Sequence, residues 1–187
     1  MADVLRLREL GPDDEAEFRA GHRAMLADGF TFGLGLRPGT AWADYLVELA
    51  DTRAGRNLRE GMVPATFLVA DVGGRIVGRI SIRHRLNEAL LDEGGHLGYG
   101  VLPAYRRRGH ATAILRAGLG LARGLGIPSA LVTCDEDNTG SRKVIESCGG
   151  VLESVRPGGP ALRRYRVPTW SPVSAPDRST RARPAPG

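Results

Sequence analysis

The residues Arg106-Arg107-Arg108-Gly109-His110-Ala111-Thr112 have the types and spacing best suited to chemistry. Three arginines precede a single glycine, and small, helix-compatible residues follow at once. An apolar stretch, Leu97-Gly98-Tyr99-Gly100-Val101-Leu102, leads in through a proline at 103. A strand, a turn and a helix in that order bring free backbone N–H groups, a positive helix end and arginines to one point. That arrangement suits a phosphate-bearing ligand. No carboxylate occurs from Gly94 to Cys134, although the chain carries 21 Asp and Glu residues. Three readings are open for the loop: a solvated surface turn, a basic patch for nucleic acid, or a pyrophosphate cradle. The glycine favours the cradle, because it lets backbone N–H groups approach a ligand closely. A Walker-type loop is absent, and Gly98-Tyr99-Gly100 lies within the strand instead of opening a helix, so a dinucleotide fingerprint is absent too.

Around the loop, the periodicity predicts alternating strands and helices. Val4 to Leu10 reads as a strand, and a helix follows from the acid-rich Pro12-Asp13-Asp14-Glu15 to about Asp28. His22 reads as a helix-face residue. Gly29 to Gly39 is loop-like and holds Phe30 and Phe32, and Thr40 is an expected N-cap for a helix to about Arg53. Ala65 to Ala70 and Ile76 to Arg83 pair through Gly73-Gly74, with Ile76, Gly78, Ile80 and Ile82 on one face. Asn87 to Glu93 is an irregular or short helical connection, and His96 to Leu102 is the next strand. The helix from Gly109 to Gly124 presents Ala111, Ile114, Leu115, Gly118, Ala122 and Leu125 inward. Ala130 to Thr133 is a buried strand, and a helix from Asn138 to Cys148 stops at Gly149-Gly150. Val151 to Val155 and Leu162 to Val167 form a hairpin through Pro157-Gly158-Gly159. Residues 1–167 are expected as one domain, and 168–187, rich in Pro, Ser, Ala and Arg, as a disordered tail.

Composition narrows the class. At 187 residues and 42% apolar content the chain holds a single core-forming domain. The net charge is +5; the tail carries Arg178, Arg181 and Arg183 against Asp177 (3 − 1 = +2), leaving 5 − 2 = +3 for the domain. That is mild, and no nucleic-acid partner is called for. No apolar run approaches the roughly 18 residues of a membrane span, and none is expected. The start, Met1-Ala2-Asp3-Val4-Leu5-Arg6, has no signal-peptide layout, so a cytoplasmic protein is expected. Cys134 and Cys148 read as buried free thiols, and no metal-ligand spacing occurs.

The loop Arg106-Arg107-Arg108-Gly109-His110-Ala111 resembles the coenzyme A pyrophosphate loop of the GCN5-related N-acetyltransferase (GNAT) superfamily, Gln/Arg-x-x-Gly-x-Gly/Ala after a strand and a turn. The resemblance extends to Asn138 and Ser141 after the next strand, to Gly149-Gly150, and to the element order over about residues 3 to 167. The string from Ser81 to Val101 is similar to a bacterial branch of acetyltransferases.

The resemblance implies an α/β (α+β) fold: a mixed, mostly antiparallel twisted sheet with a splayed middle strand pair and helices on both faces. It also implies acetyl-CoA as acyl donor and direct transfer to a primary amine. Tyr99, Gly100 and Val101 would meet the pantetheine arm. Arg106, Arg107, Arg108, Gly109, His110, Ala111 and Thr112 would hold the pyrophosphate, and Asn138 and Ser141 would flank the arm. Relatives acting on protein N-termini carry Glu five residues before the Asn and Tyr seven after it. Here those positions are Thr133 and Ile145, which cannot do that proton chemistry. His96 is the leading base candidate, since an imidazole titrates near neutral pH; the competing role for it is structural. Glu88, Glu93 and Asp135 are weaker candidates, and Tyr99, Ser141 and Cys134 are possible proton donors. The first-choice acceptor is a small-molecule amine, bordered by Gly29–Gly39 and Pro157–Pro160. A protein lysine or N-terminus, a non-catalytic acyl-CoA sensor and a nucleic-acid-binding domain are the alternatives. A monomer or homodimer is expected.

Overall fold

The computed structural model describes residues 4–157 and 161–170. In chain order the elements are β1 (Arg6–Arg8), α1 (Glu15–Ala27), α2 (Trp42–Ala54), β2 (Ala65–Val72), β3 (Arg75–Arg83) and β4 (Leu97–Val101). They continue with α3 (His110–Gly124), β5 (Ser129–Asp135), α4 (Thr139–Ser147), β6 (Val151–Arg156) and β7 (Leu162–Pro168). The seven strands form one sheet in the order β1-β2-β3-β4-β5-β7-β6. Every neighbouring pair is antiparallel except β4 and β5, which run parallel.

That exception positions the site. β4 and β5 share only the pair Leu97↔Val132, whereas β3 and β4 pair from Ile82↔Leu97 to Gly78↔Val101. The two middle strands therefore touch at one end and part along the rest. The expected mixed sheet with a splayed central pair is present, and helices cover both faces. α1 and α2 lie on one face, where Phe18, Met25, Trp42 and Tyr45 pack on Phe67, Val69 and Ile76. α3 and α4 lie on the other, where Ile114, Leu115, Leu119 and Ile145 pack on Ile80, Ile82, Leu97 and Val132. Gly118 lets α3 sit close to the sheet, because a Cβ there would fall 2.2 Å from Ile80 Cδ1.

Several local expectations need correction. Ile76 does not share a face with Ile80 and Ile82; it joins the α1/α2 core, while Val77 joins the other. The ladder steps from Ala70↔Gly78 to Asp71↔Ile76, so Val77 is an extra residue that reverses the alternation. Thr40 is not an N-cap. Its carbonyl accepts from Arg19 at 2.7 Å, and α2 starts after an extended Ala41, held by Trp42 Nε1 donating to Gly11 O at 3.0 Å. On α3, Leu125 is 42% exposed and Leu119 takes the inner place. Residues 158–160, most of the expected β6–β7 turn, and 171–187, most of the expected tail, lie outside the described residues. The strand continues to Pro168, and Thr169 is buried with its hydroxyl donating to Ile127 O at 2.7 Å. Both cysteines are free, Cys134 buried and Cys148 half-buried.

Candidate active site

The glycine and its neighbours shape the loop ahead of α3. Arg107 and Gly109 both adopt left-handed backbone, with φ of 64° and 80°. For the arginine this costs about 1–2 kcal/mol. Gly109 precedes the first helical residue, and no side chain caps the helix. The first loop carbonyl engaged by α3 is Gly109 O, reached by Ala113 N–H at 3.1 Å. The N–H groups of residues 107–112 have no acceptor among the described residues. A Cβ on Gly109 would meet nothing within 4 Å, so the space in front of these donors is open. A row of unpaired N–H groups at the positive end of a 15-residue helix has the donors and the charge to accept an anion.

From this loop the splay leads back along β4. Arg83 N–H donates to His96 O and Leu102 N–H to Val77 O, so even-numbered residues of β4 bond to β3. The alternation turns the backbone groups of Tyr99 and Val101 toward β5, where the ladder has already ended. An extended ligand arm can lie there and bond to Tyr99 and to the Val101 N–H, the Val101 carbonyl being taken by Arg106 Nε at 3.2 Å. Tyr99 points to the α3/α4 face. Its Oη is fully buried beside Ser141 and completes no hydrogen bond among the described residues. Burial pushes the phenol well above its usual range, so it stays protonated. Asn138 caps α4 by accepting from Ser141 N–H at 2.9 Å.

At the closed end of the splay, His96 joins the two strands. Its N–H donates to Leu131 O at 2.7 Å, and its Nδ1 accepts from Leu131 N–H at 2.9 Å. The neutral ring must therefore carry its proton on Nε2. Burial, assisted by Arg166 and Arg83, pushes the imidazole below its usual range.

The opposite face of β4 meets α1 and the loop after it. A Cβ on Gly100 would fall 2.8 Å from Phe30 and 3.3 Å from Met25. Phe30 in turn stacks on the guanidinium of Arg79, 4.7 Å from the ring centre. Between α2 and the β2–β3 hairpin is a largely apolar cavity of about 250 Å³, lined by Leu34, Leu49, Met62, Phe67, Ser81 and Arg83 among others.

Residues 37–150 match the model of the Acetyltransferase (GNAT) family. The chain belongs to this family. Solved structures share the fold. The yncA protein of Salmonella typhimurium, solved with acetyl-CoA, is 18% identical with a TM-score of 0.62, over 94% of this chain and 99% of its own. RimJ of Mycobacterium smegmatis, in complex with CoA-disulfide, is 22% identical with a TM-score of 0.63, over 89% and 82%. An acetyltransferase from Agrobacterium tumefaciens is 24% identical with a TM-score of 0.57, over 89% and 91%. A search of curated proteins gave no significant sequence match.

In this GNAT domain the residues expected at the site divide into two groups. Tyr99, Val101, Arg107 to Thr112, Asn138 and Ser141 gather along the splay and the α3 end. Arg106 does not: its guanidinium is tied to Asp28 at 2.7 Å, Val101 O at 3.2 Å and Met25 Sδ at 3.4 Å, so it fastens α1 to the loop. Arg108 leans on Tyr105, 5.8 Å from the ring centre, and remains exposed. Gly100 is required by Phe30 rather than by a ligand on the splay. Ile145 is fully buried in the core, and Thr133 Oγ1 donates to Glu93 O at 3.1 Å. Glu88, Glu93 and Asp135 are exposed. Phe32, in the loop expected to border the acceptor, is fully buried in the core. Sequence reasoning missed Arg79 and Arg83. The available signal was the alternation Arg79-Ser81-Arg83 on one face of a strand whose other face is Gly78, Ile80 and Ile82.

Proposed function

We propose that this protein transfers an acetyl group from acetyl-CoA directly to a primary amine of a small molecule. One observation carries the reading: the unpaired N–H groups of residues 107–112 stand at the open end of the β4–β5 splay. They fit a pyrophosphate, and the splay fits the pantetheine arm. Acetyl-CoA would supply an activated thioester carbonyl. The N–H groups of Arg107 to Thr112 hold the diphosphate, with Arg107 and Arg108 adding charge. Backbone groups of Tyr99 and Val101 orient the arm, and a backbone N–H aimed at the carbonyl oxygen would stabilise charge developing there. Asn138 and Ser141 border the other side.

The proton path differs from that of relatives with Tyr seven residues after the Asn, since Ile145 fills that place. Tyr99 Oη is the donor we assign to the departing sulfur: it is buried beside Ser141, protonated and completes no hydrogen bond among the described residues. The proton that the attacking amine loses restores the phenol. His96 is assigned a positioning role. With Nδ1 bonded to Leu131, its free nitrogen bears a proton and cannot accept one from the amine.

The test is release of free CoA, followed with a thiol reagent, over a panel of amines. The Cys134 thiol is pushed up to about 11, chiefly by burial, and contributes little background. Turnover of small amines with CoA release is the expected result. Acetyl-CoA binding without turnover of any amine would overturn the enzyme reading in favour of an acyl-CoA sensor.

A further inference from the structure

Of the three arginines of β3, Arg75 is paired with Glu17, and two others, Arg79 and Arg83, have no role in the transfer chemistry. Arg79 and Arg83 are two pleats apart and project to the α1/α2 face on either side of Gly98. A Cβ at Gly98 would lie 3.6 Å from Arg79 Nη1 and 3.9 Å from Arg83 Nη1. Arg79 is only 4% exposed. It donates to Gly98 O at 2.7 Å and Thr31 O at 2.9 Å, and its Nε has no acceptor. Arg83 donates through Nη1 to Gly94 O and Gly95 O, each at 3.0 Å. Its Nε and Nη2 make no hydrogen bond among the described residues, and Arg83 lines the cavity.

Neither arginine has a carboxylate partner among the described residues. Glu48 also borders the cavity, but it is held by Arg59 at 2.6 Å. Two like charges side by side repel, and a charge drawn out of water without a partner is unfavourable unless a counter-charge arrives; Arg79 is buried and Arg83 half-buried. The repulsion is visible on Arg79, which burial first and Arg83 second push down to about 9; it is still charged at neutral pH. A guanidinium fork with two donors unengaged matches a carboxylate. The rest of the cavity wall is mostly apolar, and about 250 Å³ has room for roughly eight water-sized groups.

We propose that Arg83, backed by Arg79, is the carboxylate-binding subsite of the acceptor, which is an amino acid with a medium-sized apolar side chain. The inference rests on the acetyl-transfer reading above. Arg83 N–H is bonded to His96 O, so the subsite adjoins the start of β4. A carboxylate on Arg83 leaves the neighbouring α-amine beside Gly98, next to the point where β4 parts from β5. The apolar side chain fills the cavity between Leu49, Met62 and Phe67.

The experiment compares matched acceptors: L-leucine, L-leucinamide and 3-methylbutylamine, and L-methionine with its amide. The expected result is a kcat/KM for the acids above the amides and amine by on the order of 10- to 100-fold. In R83Q that preference collapses, mainly through KM, and R83K restores part of it. Calorimetry of N-acetyl-L-leucine against N-acetyl-L-leucinamide on the CoA-loaded protein reads the same subsite without turnover. R83K is the working variant if thermal melting shows R83Q unfolded. Turnover of neutral amines with no acid preference overturns the subsite and leaves acetyl transfer standing. Arg83-dependent binding of N-acetyl-L-leucine with no turnover overturns acetyl transfer and leaves the subsite. Failure of the acids to outdo the amides in both binding and turnover overturns the subsite.

Discussion

The two sides of β4 present different kinds of group. Toward the splay and the α3 end, the groups on offer are backbone: the N–H groups of residues 107–112 and the strand edge at Tyr99 and the Val101 N–H. Toward α1 and α2 they are side chains, Arg79 and Arg83, set in an apolar wall. Backbone donors are insensitive to most substitutions and depend on conformation. Side-chain donors depend on identity and register. The backbone side therefore suits a ligand common to a family, and the side-chain side suits one particular to a member.

The sharpest way to break this contrast is Gly109→Asp. The left-handed φ of 80° disfavours a side chain, and a carboxylate would stand among the free N–H groups. Acetyl-CoA affinity is expected to fall on the order of 100-fold. The fold should survive, since a Cβ there meets no atom within 4 Å. Calorimetry and a thermal melt read the two effects separately; undiminished affinity would remove the backbone site.

Next in size is Gly100→Val. The added atoms collide with Phe30, so a loss of about 1–3 kcal/mol in urea unfolding is expected. Because Phe30 lies against Arg79, the acceptor KM should rise more than the acetyl-CoA KM. The reverse ranking would place Gly100 on the donor side after all.

His96 tests the joint between the sides. His96→Ala leaves Leu131 N–H unpaired and should cost about 1–3 kcal/mol. His96→Asn offers a side-chain oxygen to the same donor and should recover part of that. His22, His84 and His96 are all held below the usual imidazole range, each chiefly by burial. The unfolded chain thus takes up protons first. Stability present above about pH 6.5 is lost as pH falls from there toward the folded-state values. Melting temperature should drop between about pH 7 and 5, and less steeply in His96→Asn. An equally steep drop in that variant would show that the Leu131 bond does not govern the effect.

The smallest expected change is Tyr99→Phe. Removing a buried hydroxyl without a partner should leave stability within about 0.5 kcal/mol. Turnover should fall about tenfold at constant acetyl-CoA affinity if Tyr99 serves the departing sulfur. Unaltered kcat would remove it from the proton path.

The sequence by itself determined the main elements, the glycine loop ahead of α3 and the helix that opens at Asn138. Each rests on local physics: period-2 and period-3.6 patterns, a glycine where φ must be positive, and an Asn whose oxygen reaches the third N–H after it. Where local signals were weak, they misled. Thr40 looked like a cap, but Trp42 and Arg19 fixed the helix start from a distance, and one extra residue at Val77 moved Ile76 to the other face. Tertiary structure alone decided the rest. Arg106, read as a phosphate ligand, was claimed by Asp28, which lies far away in sequence. His96 acquired its tautomer from Leu131, and Gly100 its necessity from Phe30. The charged subsite proposed on β3 arises because strand alternation aligns Arg79 with Arg83, and the carboxylate that α2 brings to the cavity, Glu48, is taken by Arg59. Local patterns dictate which backbone groups stay free. Which charges meet depends on contacts between residues far apart in the chain, and only the folded chain makes those.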